Sequence, residues 1–156
     1  MIYLVDGHNL IPKLPGLALC QLDVESVLLE RLQVFSRISR RPVEVFFDGA
    51  PPGQSGKRKS GTVVAHFVRL GRTADESIIA RLDQLGAAVR NALVVTSDRR
   101  VQTEARNRRA GVISSEEFSA RLSEALRAAQ ESRKNEAPSP GEGEVAEWLK
   151  LFGENE

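Results

Sequence analysis

The sequence predicts an α/β fold: a three-layer sandwich around a central, mainly parallel sheet. Two observations carry that expectation. Apolar, β-branched runs of strand length alternate with stretches whose apolar residues recur at helical spacing, the pattern of βαβ units. Three of those runs also stop on aspartate close to a turn or a helix start, as expected of strands whose carboxyl ends share one edge of a sheet. Connections in such a sheet are nearly always right-handed crossovers.

Ile2-Tyr3-Leu4-Val5 reads as a strand buried on both faces, and it runs into Asp6-Gly7-His8-Asn9-Leu10. The carboxylate therefore closes a rigid element, and the glycine is expected to let the chain turn. Pro12, Pro15 and Gly16 keep residues 11–22 in loop. Asp23 is expected to cap a helix with the stripe Val24, Val27, Leu28, Leu32 and Phe35, ending near Arg40-Arg41-Pro42.

Val43-Glu44-Val45-Phe46-Phe47 is the second strand, followed by Asp48-Gly49. From Ala50 to Gly61 the chain is rich in Gly, Pro, Ser and Lys and reads as a flexible loop able to close over a ligand. Thr62–Leu70 is a strand, and Thr73 caps a helix with Asp75 and Glu76 in its first turn and Ala74, Ile78, Ile79, Leu82 and Leu85 along its stripe. Ala92–Thr96 is the next strand, and Asp98 opens a helix to Arg109 that Gly111 should stop. Val112-Ile113 forms a short strand. Ser114 stands three residues before Glu117, as in a capping box, ahead of the stripe Phe118, Leu122, Ala125 and Leu126.

One domain is expected over residues 1–128, then a Pro/Gly/Ser/Glu-rich linker over 129–143 and a short amphipathic helix over 144–153. Val145, Trp148, Leu149 and Phe152 form one face of that helix, which either docks on its own domain or anchors in a partner's groove through Trp148 and Phe152. The single Cys20 excludes an intramolecular disulfide framework. No run approaches the roughly 20 apolar residues of a membrane helix, and no signal peptide is legible, so a cytoplasmic protein without membrane contact is expected.

The net charge of +1 hides an asymmetry, because residues 131–156 carry −4 and the rest +5. No acid lies between Asp48 and Asp75, a stretch that holds Lys57, Arg58, Lys59, Arg69 and Arg72. Converging carboxylates raise one another's pKa unless a cation sits among them, and hard ions such as Mg²⁺ take carboxylate oxygens. Basic surface beside an acidic pocket is what a phosphodiester substrate requires. A metal held by Asp6 and Asp98, with Asp75 joining directly or through water, would lower the pKa of a bound water and support hydrolysis. Arg99 and Arg100 lie nearest that pocket and join Lys57, Arg58, Lys59 and Arg72 as candidate contacts to a phosphodiester backbone. His8 is read as a structural residue of the strand-end turn.

Asp6-Gly7-His8-Asn9-Leu10, Phe47-Asp48-Gly49, Ala74-Asp75-Glu76 and Thr96-Ser97-Asp98, in that order over about residues 1–128, resemble the YacP-like branch of the NYN domains, within the PIN-like nuclease superfamily. The resemblance implies Mg²⁺- or Mn²⁺-dependent hydrolysis of RNA, with Asp6, Asp48, Asp75 and Asp98 as metal-site carboxylates and Asn9 as the polar residue supporting the pocket. It implies an endoribonuclease whose target is RNA, in RNA processing or ribosome-associated cleavage of mRNA or rRNA. The rival expectation is a non-catalytic RNA- or ribosome-binding module on the same fold.

Overall fold

A computed structural model of the chain describes residues 1–17 and 23–136. Cys20, residues 137–143 of the expected linker, and the expected helix 144–153 with Trp148 and Phe152 lie outside the described residues.

The elements are β1 (Ile2–Asp6), α1 (Gly7–Leu10), α2 (Val24–Ser39), β2 (Val43–Ala50), β3 (Gly56–Ser60), β4 (Val63–Arg69), α3 (Ala74–Leu85), β5 (Ala92–Val95), α4 (Arg99–Asn107), β6 (Gly111–Ile113) and α5 (Ser115–Glu136). They build one six-stranded sheet in the order β3-β4-β2-β1-β5-β6. All neighbouring pairs are parallel except β3 with β4. Side chains alternate across the sheet, so each strand feeds two cores. Tyr3, Val5, Val45 and Phe47 pack with Leu28, Leu32, Phe35, Phe118 and Leu122 of α2 and α5. Leu4, Phe46 and Val94 pack with Ile78 and Leu82 of α3 and Val101 and Ala105 of α4. Helices thus cover both faces, as the buried character of the strands requires.

The chain moves outward from β1 to β2 and β4, then returns to β5 on the other side of β1. Ligands of open α/β sheets bind in the crevice beyond the strand ends at such a reversal. Asp6 closes β1 at that point.

Several local expectations give way to tertiary structure. The stretch read as a flexible loop contains β3, whose residues Lys57, Arg58 and Lys59 pair with His66, Ala65 and Val64 of β4. A two-residue connection, Gly61 (φ +61°) and Thr62, turns the hairpin, the glycine-first geometry that suits the twist of paired strands. Residues 11–13 of the expected 11–22 loop form a 3₁₀ turn, Ile11–Lys13, which follows α1 directly. Gly7 is needed for room rather than for turning, since a Cβ there would lie 2.4 Å from the Phe47 ring. Asp23 adopts φ +60° and makes no side-chain cap, whereas Thr73 caps α3 as expected, accepting from the Glu76 N–H at 3.2 Å. α4 ends at Asn107 with Arg109 at φ +68°, and Gly111 opens β6 instead of stopping the helix. α5 runs to Glu136, so residues 129–136 of the expected linker are helical, there being no proline to stop them before Pro138.

A buried ionic cluster fixes α3 on the sheet. Glu44 of β2 is 7% exposed. Arg81 of α3 donates from Nε to both of its oxygens at 3.1 Å and from Nη2 at 3.0 Å, and His66 Nε2 lies 2.6 Å away. Burial pushes the Glu44 carboxyl up, but the hydrogen bonds from His66 and Arg81 outweigh it and hold the pKa below its ordinary value. The helix that carries Asp75 is therefore tied to β2 and β4.

Candidate active site

The expected carboxylates come from four separate elements: the end of β1 (Asp6), late β2 (Asp48), the first turn of α3 (Asp75) and the N-cap of α4 (Asp98). Asp6 is 6% exposed. Burial, followed by the charges of Asp75 and Asp48, raises its pKa from 3.8 to about 7, against the opposing pull of the Asn9 backbone amide and His8. Asp75 is raised as well, by burial and then by Asp98 and Asp48, while Arg100 and a hydrogen bond with Asp6 draw it down. Asp75 is the common neighbour, influenced by Asp6, Asp48 and Asp98, whereas Asp98 is not among the groups that shift Asp6.

Each acid is held by local structure. Asp98 accepts from the Arg100 N–H at 2.9 Å, and its own N–H donates to Thr96 Oγ1 at 3.1 Å. This caps α4 and points the carboxyl at the helix entrance, where the dipole favours negative charge. Asp48 is bound by His8, whose Nδ1 is 2.7 Å from Oδ1, while His8 Nε2 is 2.9 Å from Glu25 of α2. The expectation of a structural His8 thus gains a partner that the sequence did not suggest.

Asn9 sits beneath the rim. Its Oδ1 accepts from the Ser97 N–H at 2.9 Å and from Ser115 Oγ at 2.6 Å, joining α1 to the turn before α4 and to the start of α5. Ser97 Oγ in turn donates to Glu116 and accepts from the Ser115 N–H at 3.0 Å. Hydrogen bonds from Ser97, then from its own backbone and from Lys13, lower Glu116 to about 2. Ser97, Ser115, Glu116 and Glu25 escaped sequence reasoning. Their roles depend on contacts between distant segments, and only the Ser-Ser-Glu-Glu helix start marked the region.

The basic candidates separate into groups. Lys57 lines a cleft of about 390 Å³ beside α3, together with Arg69, Arg72, Arg81, Ser77 and Gln84, and no acid lines it. Arg58 belongs to the opposite face of β3, with its guanidinium 4.8 Å from the centre of the Phe67 ring. Lys59 is on the α3 side with Lys57, by strand alternation. Arg100 lies near Asp75, and Arg99 is exposed beside it. Farther along α4, Arg108 is taken up by Asp83 at 2.8 Å and Glu104 at 2.7 Å.

The donor set fits a hard divalent cation, since it offers carboxylate oxygen only and gathers negative charge around a buried Asp6 that has no lysine or arginine partner among the described residues. Among those residues no group of three or more His, Cys, Asp or Glu side chains stands close enough together to hold a metal ion by itself. Mg²⁺ does not require one: it keeps several waters and takes one or two carboxylates plus substrate phosphate.

Residues 3–150 match the family model described as the YacP-like NYN domain, a span that continues past residue 128. The crystal structure of Rae1 (YacP) from Bacillus subtilis is similar to the chain at 26% identity and a TM-score of 0.73, covering 98% of this chain and 92% of that one. A tryptophan-to-leucine variant of the same protein, at 24% identity and a TM-score of 0.72 over 93% and 89% of the two chains, shares the fold. No curated protein matches the chain.

Proposed function

The chain belongs to the YacP-like NYN domain family, and on that premise we propose that it is a metal-dependent endoribonuclease acting on RNA phosphodiester bonds. One observation supports the reading: Asp6, buried at the sheet's reversal point, is pushed up to about 7 by burial and by Asp75 and Asp48, with no lysine or arginine in an ion pair with it among the described residues. A structural role would favour paired charges, as at Glu44. Surplus negative charge in a crevice instead suits a site whose positive partner is a ligand.

Asp6 and Asp98 would hold Mg²⁺ or Mn²⁺, with Asp75 and Asp48 completing the pocket directly or through water. When bound, the ion would lower the pKa of a water so that it can be deprotonated for attack on phosphorus, and would supply positive charge to stabilise the leaving oxygen. Asp6 would have to be ionised to ligate, which its raised pKa makes dependent on pH. His8 and Glu25 orient Asp48, the Asp98 cap is fixed by the α4 N-terminus, and Asn9 holds the Ser97-Asp98 turn in place. The backbone of a single strand leaving the pocket would follow Arg72, Lys57 and Arg69 along α3, with Arg99 and Arg100 on the other flank. The RNA is drawn from processing substrates or ribosome-associated mRNA.

The test is cleavage of an end-labelled RNA with Mg²⁺ or Mn²⁺ by wild type and by Asp6→Asn. Internal cuts by wild type alone support the reading. Equal activity in both, or none in either, leaves an RNA-binding module.

A further inference from the structure

The rim opposite the aspartates gathers arginines with no acid to answer them. Arg37, Arg40 and Arg41, at and after the end of α2, line a cleft of about 580 Å³ with Gln33 and the hairpin residues Ser60 and Thr62. No Asp or Glu lines the cleft, and among the described residues none of the three arginines is in an ion pair. β2 and β4 begin beside it, so at about 3.3 Å per residue the path from Val43 to Asp48 puts it roughly 17 Å from the aspartate rim.

The floor is built rather than incidental. Ser36, 1% exposed, donates its hydroxyl proton to the Arg41 carbonyl at 2.6 Å and pairs with Thr62 Oγ1, locking the end of α2 to the β3–β4 turn. Arg40 caps α2 at φ +56° and ψ +37°, the left-handed conformation that favours glycine at this place. The helix dipole explains a cation in the last turn, and Arg37 meets that need. It does not explain a large cationic side chain held at a backbone position where glycine would be less strained. Such strain is often kept where a side chain has work to do.

We propose that this cleft is a second phosphate-binding site, occupied by the backbone of a nucleic-acid strand whose other part lies at the aspartate rim. Guanidinium groups match phosphate oxygens in bidentate fashion, and the Ser60 hydroxyl adds a neutral donor. The site is independent of the cleavage chemistry, because a chain that only bound RNA would use it equally.

Binding is measured by fluorescence anisotropy on the full chain in EDTA, with a labelled RNA of about 16 nucleotides and with tripolyphosphate as the free polyanion. Arg37→Ala/Arg41→Ala is expected to weaken RNA binding about tenfold at low salt and to reduce the log–log salt slope by about 1.4, two phosphate contacts at about 0.7 each. Arg40→Gly is expected to raise the melting temperature while weakening RNA binding, a combination that a purely structural arginine would not give. Unchanged affinity and slope in both variants would overturn the proposal. So would tripolyphosphate saturating the cleft, followed by NMR at Ser60 and Thr62, at concentrations that leave RNA fully bound.

Discussion

Asp6 is held near neutrality by burial and by its acidic neighbours, and the sign of the stability effect follows from that. Its folded pKa of about 7 stands above the ordinary 3.8, so between those values the folded chain binds more protons than the unfolded one. The contribution of Asp6 to stability is therefore fully present below about pH 4 and is lost as pH rises through about 7, by an amount on the order of 4 kcal/mol. Asp6→Asn removes the penalty along with the ligand. It is expected to melt higher than wild type at about pH 8, to lose that advantage near pH 4, and to cleave no RNA. Thermal unfolding across that range checks it, and equal melting at the alkaline end would remove the strain. Gly7 carries a different constraint. A methyl there would lie 2.4 and 2.6 Å from ring carbons of Phe47, itself fully buried. Gly7→Ala should cost about 1–3 kcal/mol in urea unfolding, with part recovered in Gly7→Ala/Phe47→Leu because the two sites share one space.

The elements meet at Asn9. Removing its side chain in Asn9→Ala strands the Ser97 N–H and the hydroxyl of Ser115, which is 0% exposed, at about 1–3 kcal/mol for each group. The expected result is a destabilised chain with faster hydrogen exchange at the Ser97 amide and a larger loss of cleavage than of RNA binding. Asn9→Asp, which keeps an acceptor, should retain the exchange protection. At this scale the sequence was legible where apolar burial sets the pattern. The stripes with Leu28, Leu32 and Phe35 on α2, Ile78 and Leu82 on α3, and Phe118 and Leu122 on α5 all face the core. It was illegible where pairing sets the structure. β3 reads Gly-Lys-Arg-Lys-Ser with no apolar alternation, and it is a strand because β4 offers an open edge beside it, with Gly61 at the turn as the one local signal. Its exposed lysines then protect that edge from further pairing. The Asn9–Ser97–Ser115 network was hidden for a related reason, since it joins residues 88 and 106 positions apart.

On the scale of the molecule, strand order brings acids from separate segments near one another. β1 lies between β2 and β5, and α2 and α5 cover one face and α3 and α4 the other, so Asp75 comes under the influence of Asp6, Asp48 and Asp98 although 92 positions separate the first of those from the last. The bridge from His8 to Asp48 and Glu25 was not readable, because it depends on where α2 comes to rest. The arrangement couples metal, proton and fold. Mn²⁺ or Mg²⁺ at about a hundred times its dissociation constant should stabilise wild type by about 2.7 kcal/mol, and Asp6→Asn by much less. Below about pH 7 the ion must also displace the Asp6 proton, so its apparent affinity should weaken up to tenfold per pH unit. Calorimetric titration in buffers of different ionisation enthalpy should then show up to one proton released per ion at acid pH, falling toward none well above 7. Equal stabilisation of wild type and Asp6→Asn would detach metal binding from Asp6. Release that stays constant with pH would mean that the displaced proton comes from some other group.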